Sequence, residues 1–114
     1  MMAPIHMTLL RALYSARAGS LPGGWLYLKE ASFDLDTACV FIPEVVDQGT
    51  DPPSQAMALG YPTEGLDNQT LEDVVGAADA LVSTASDRLL LEAFSYYHRW
   101  DAFLPYPGAP DPPS

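Results

Sequence analysis

The chain has 114 residues, 48% of them apolar, a single cysteine and a formal charge of −10. That length predicts one domain able to bury a core without staples, and one cysteine rules out an internal disulfide and makes a reducing, cytoplasmic setting the default. Charge of this sign argues against nucleic acid and anionic lipid as ligands, because phosphate is held by Lys and Arg.

The distribution of charge is more informative than its sum. Between Lys29 and Arg88 there is no Lys or Arg, and that interval holds twelve of the fifteen acids. Such a surface attracts a basic protein and speeds the encounter. The plain alternative is that acidity only keeps a small protein soluble.

In chain order, the N-terminal stretch reads as structure and not as a signal peptide, since Thr8 and Arg11 break its apolar run and no basic residue precedes it. No segment approaches the roughly 18 apolar residues of a membrane span. Pro4 opens a first helix, or sits just ahead of one capped by Thr8. Leu9, Leu10, Leu13 and Tyr14 form its stripe and Gly19 ends it. Ser20-Leu-Pro-Gly-Gly24 is a turn. Trp25–Leu28 and Ala38–Ile42 read as strands apolar on both faces, hence buried inside a layered fold. The KEASFDLDT stretch between them extends both strands.

Residues 44–53 form a polar loop. A short helix follows from Pro53 to Leu59, with Gly60 as its left-handed stop. Thr63–Asp67 is a candidate third strand. Thr70 caps a helix with Glu72 and Asp73 in its first turn and an apolar face from Leu71 to Val82. Ser86 or Asp87 opens the last helix, whose inward stripe is Leu90, Ala93, Phe94 and Tyr97, widened by Leu89, Tyr96 and Trp100. Pro105 stops it. The expected architecture is α+β: a small, mainly antiparallel sheet of two to three strands packed on helices, in the order α-β-β-α-(β)-α-α, over residues 1–104. Residues 105–114 are expected to be a proline-rich tail.

The densest stretch is FSYYHRWDAF, residues 94–103. Its main reading is core aromatics, with His98 and Arg99 favourable at the helix C-terminus. A second reading makes Tyr96, Arg99 and Trp100 a binding face, because these residue types dominate interface hot spots. Tyr96, Trp100 and Phe103 are also expected to close a two-fold homodimer. Catalysis by His98 or Cys39 lacks a nucleophile motif. Two histidines and one cysteine make a poor zinc set. Asp34 and Asp36 start a calcium-loop pattern that Ala38 and Cys39 break. No catalytic residue, cofactor or metal is expected. Pro107–Pro110 matches PxxP, a short and unspecific motif.

Four segments, Gly24-Trp-Leu-Tyr-Leu28, Leu35-Asp-Thr-Ala-Cys-Val40, Gln69-Thr-Leu-Glu-Asp-Val-Val75 and Glu92-Ala-Phe-Ser-Tyr-Tyr97 followed by Asp101-Ala-Phe103, occur in the order seen in a known family. Over residues 8–104 the chain resembles small acidic bacterial proteins of uncharacterised function, similar to the immunity proteins encoded near polymorphic toxins. Asp51-Pro-Pro-Ser54 and the proline-rich end depart from that pattern. The resemblance implies a non-enzymatic protein that masks a basic surface of a protein partner, with no catalytic residue. The competing reading is an assembly or enzyme-associated module. Partner contacts are expected at the loop acids Glu44, Asp47 and Asp51, since binding residues concentrate in loops, and at Tyr96, Arg99 and Trp100.

Overall fold

A computed structural model describes residues 3–44 and 51–112. Four antiparallel strands, β1 (Ile5–Thr8), β2 (Gly24–Leu28), β3 (Ala38–Pro43) and β4 (Thr63–Asp67), form one sheet in the order β1-β3-β2-β4. The helices are α1 (Leu9–Ala18), α2 (Pro52–Ala58), α3 (Asn68–Val82) and α4 (Asp87–Trp100). The fold is therefore α+β with four strands, and this corrects the expected two to three.

The extra strand is β1. Ile5 and Met7 pack on the main core and pair with Phe41 and Cys39, while His6 and Thr8 point the other way. Four alternating residues ahead of a helix are a weak signal, and they read as the helix lead-in. Thr8 does cap α1: its Oγ1 accepts from the Arg11 N–H at 3.2 Å.

The KEASFDLDT stretch is a loop and extends neither strand into it. Asp34 and Thr37 bond each other, and the carbonyls of Leu35 and Thr37 accept from the backbone N–H groups of Leu10 and Leu9 at 3.1 and 3.0 Å. The loop thereby satisfies donors that the first turn of α1 leaves without helical partners. Thr70 is not the cap of α3 either. The strand β4 runs directly into that helix at Asn68, and Asp67 stands at the cap position without a side-chain bond. Asn68 is used elsewhere: its Oδ1 accepts from Gly24 N–H at 3.2 Å.

The two inner strands are buried on both faces. Leu26, Leu28, Cys39 and Phe41 face α1, α3 and α4 and join their buried side chains in the main core. Tyr27, Val40 and Ile42 face α2, where Ala56 and Tyr61 cover them. The second layer is thin, because α2 has only seven residues.

On the edge of the sheet, Trp25 pairs with Asp67 and Tyr27 with Glu64, so Gly65 and Leu66 together oppose Leu26. This is a β-bulge. Gly65 is required there, since a Cβ would lie 2.7 Å from the Leu26 carbonyl oxygen.

An ion-pair network pins the α3–α4 connection to α1. Arg17 donates to Asp79 from Nε at 3.0 Å and from Nη2 at 2.7 Å, and Nη2 also reaches the Ala85 carbonyl at 3.0 Å. Asp79 accepts the Ala85 N–H at 2.8 Å as well. The Arg17 guanidinium holds the Asp79 carboxyl below its ordinary range, against a smaller opposing effect of burial. With the folded value depressed, this contribution is whole above the unfolded value of about 3.9 and fades as pH falls through the lower folded value. The side chains are 30% and 25% exposed, so solvent screening keeps the pair near 1 kcal/mol. Asp79→Asn is expected to cost about 1 kcal/mol at neutral pH, and that difference should shrink below about pH 4. Urea melts of both proteins across pH check this; a gap that persists undiminished at low pH would contradict it.

Candidate functional site

The residues that the sequence singles out fall on two separate surfaces. Asp51 is on the α2 side of the sheet. Tyr96, Arg99 and Trp100 are on α4, which packs against the opposite face. Glu44 follows β3, is exposed, and its N–H bonds the Gly23 carbonyl at 2.7 Å. Asp47 lies outside the described residues.

Asp51 has a local structural duty. It caps α2, accepting the Ser54 N–H at 3.1 Å and the Ser54 hydroxyl at 3.0 Å, and these bonds lower its carboxyl pKa. It is nevertheless exposed. Asp51 lies near enough to act on Tyr27 of the sheet face: burial raises the phenol pKa most, and the charges of Glu64 and then Asp51 raise it further. Glu64 stands opposite Tyr27 on this face, whereas Asp67, opposite Trp25 at the head of α3, acts on the Tyr97 phenol of α4.

Apolar groups emerge beside these acids. Trp25 is 37% exposed, Met57 64% and Leu59 46%. The elements that build this side, β3, α2 and β4, carry no Lys or Arg, and its nearest cation is Lys29, just past β2, which shares a hollow with Met57, Asp34 and Asp36. The resulting surface is acidic and partly apolar, with His6 at its β1 edge sharing a 3.3 Å hydrogen bond with the Tyr61 hydroxyl.

Two acids of the cation-free interval are occupied internally. Asp79 belongs to the Arg17 network, and Asp87 accepts from the Tyr14 hydroxyl. Neither partnership can be inferred from spacing, because the partners are 62 and 73 residues apart. The sequence interval therefore overstates the charge free to meet a partner.

On α4, the aromatic run divides between core and surface. Phe94 is fully buried. The His98 ring stacks on it at 5.8 Å, Phe33 meets both rings edge-on, and His98 Nε2 donates to the Glu64 carbonyl at 2.8 Å. Phe33, in the β2–β3 loop, is missed by the sequence reading; an isolated aromatic in a polar loop is the available signal. Tyr97 packs against Phe103 at 5.2 Å. Arg99 and Trp100 face outward and meet Asp111 of the C-terminal segment.

Cys39 is completely buried in the main core, donating weakly to the Thr37 carbonyl at 3.5 Å, and burial pushes its thiol up to about 12. Such a thiol is protonated at neutral pH and is a poor nucleophile. Alkylation of Cys39 by iodoacetamide is expected to be at least about a hundredfold slower in the native protein than in denaturant, because reaction requires opening of the core. Comparable rates in the two states would contradict this burial. Among the described residues, no three His, Cys, Asp or Glu side chains are grouped to hold a metal ion, and no helix is long and apolar enough to cross a membrane.

The architecture is thus a small α+β domain with one helix-packed face and one thinly covered acidic face. Residues 6–106 match a family described as Domain of unknown function (DUF7716), and the chain belongs to that family. No curated protein and no solved structure matches it.

Proposed function

We propose that this chain is a non-enzymatic binding protein of the immunity type, acting in the cytoplasm by masking a basic surface of a protein partner. The observation that carries the reading is the α2 side of the sheet, where Asp51 and Glu64 accompany the exposed Trp25 on elements without a Lys or Arg. Acids steer a basic partner, and a partly exposed tryptophan beside them supplies the apolar contact that slows dissociation. The β-sheet and the α2 cap hold these groups on a rigid support.

The immunity role adds a requirement beyond binding: the partner must be harmful when free. The test is affinity capture from the source cell, followed by expression of the captured partner with and without this chain. A basic partner whose toxicity the chain suppresses supports the proposal. A captured partner that is acidic, or one whose activity is unchanged by the chain, contradicts it.

A further inference from the structure

The C-terminal proline-rich segment does not leave the domain. Asp101 ends α4 in the left-handed conformation at φ 58°, Leu104 enters the core, and the chain then returns along the helix. Gly108 N–H donates to Glu92 Oε2 at 2.8 Å, Trp100 Nε1 donates to Asp111 Oδ1 at 3.2 Å, and Arg99 Nη1 lies 3.9 Å from the same oxygen. Ala109 packs against the core between these anchors.

We propose that the outer face of α4 is a groove for a proline-containing acidic peptide, and that residues 105–112 of this chain are its ligand in cis. Glu92, Tyr96 and Arg99 follow each other at four and three residues, which puts them on one helical stripe. Each end of that stripe reads a different feature of the segment. Glu92 takes a backbone N–H, and Arg99 with Trp100 takes a carboxylate. Gly108, at φ 78°, supplies the bend that brings both to the helix.

The segment is seated without filling the groove. A hollow of about 150 Å³ remains between Tyr96, Trp100 and Ala109, and a larger one of about 710 Å³ lies between Leu91, Arg88 and Pro107. Arg99 and Asp111 are 66% and 62% exposed. Exposed anchors of this kind are weak and easily screened, and loosely packed segments open at low cost. Tethering holds the segment in place, because a short linker gives a local concentration on the order of millimolar. The segment is therefore a reversible cover over Tyr96, Arg99 and Trp100. This groove carries two of the five cations, Arg88 and Arg99, against one acid of its own, Glu92; the carboxylate held by Arg99 and Trp100 sets its preference for an acidic ligand, and it is independent of the surface proposed to meet a basic partner.

The test uses the full chain carrying Gly108→Pro and Asp111→Ala, which cut both anchors from the segment side and leave α4 unaltered. A fluorescein-labelled peptide LPYPGAPDP, the sequence of residues 104–112, serves as the ligand in trans. Helicity should be unchanged, exchange of the Trp100 indole N–H should rise about tenfold, and the peptide should bind the variant about tenfold more tightly than the wild type. Replacing the peptide's aspartate by alanine should abolish the gain. Equal peptide binding by variant and wild type would overturn the proposal. So would loss of α4 helicity in the variant, which would make the segment part of the core. A wild-type dimer that exchanges this segment between copies would also overturn occupancy in cis.

Discussion

Gly24→Ala is expected to destabilise the domain by about 3 kcal/mol, among the larger costs a single methyl group can impose. A Cβ at this position would lie 2.3 Å from the Ile42 carbonyl oxygen, 2.8 Å from Phe41 Cε1 and 2.8 Å from Pro43 Cα. Two of those contacts are backbone atoms of the neighbouring strand and cannot rotate away. Strand β3 would have to move from β2 at the point where the two strands' pairing ends, and the Gly24 N–H bond to Asn68 at the start of α3 would move with it. The thermal midpoint should fall by about 12 °C. The adjacent Gly23→Ala is the control, since its nearest neighbour would be the Glu44 Oε2 atom at 4.0 Å. Similar midpoints for the two variants would show that the packing of Gly24 is not as described.

The legible parts of this fold are those governed by local pattern. The stripe of α4, the Ser86 cap, the Gly19 stop and the burial of β2 and β3 on both faces follow from residue types at fixed spacing. Ser86 accepts the Leu89 N–H at 3.2 Å, as a serine ahead of an apolar stripe should. The outer strands are harder to read because each is short and half-exposed. Gly65 further blurs β4 by breaking its alternation with a bulge. The start of α3 is easily misplaced because Thr70 looks like a cap in sequence, while the strand before it already fixes the helix direction.

The candidate surfaces are legible as compositions and not as places. Glu44 and Asp51 can be named as loop acids, yet only the sheet register puts Glu64 on the side of Asp51. Tyr96, Arg99 and Trp100 can be named as interface types, yet nothing in their spacing reveals that Asp111 lies over them. Asp79 and Asp87 illustrate the converse. They count as surface charge in the sequence, and long-range partners on α1 hold both.

The central claim is that the acidic α2 side steers a basic partner, and its kinetic consequence is large. Exposed charges act over about 8–10 Å at physiological ionic strength, so long-range attraction weakens steeply as salt is added. Association should be fast at low salt and slow with increasing salt, while dissociation, governed by short-range contacts, should respond much less. The triple variant Glu44→Gln, Asp51→Asn, Glu64→Gln removes three negative charges. The asparagine introduced by Asp51→Asn retains an oxygen able to cap α2, so the helix should survive. The variant should associate about tenfold more slowly at low salt. The decisive measurement is stopped-flow association of the captured partner with wild type and triple variant across a salt series. The account predicts a steep wild-type slope, a flatter variant slope and convergence of the two rates at high salt. Equal rates and equal slopes at every salt concentration would contradict it.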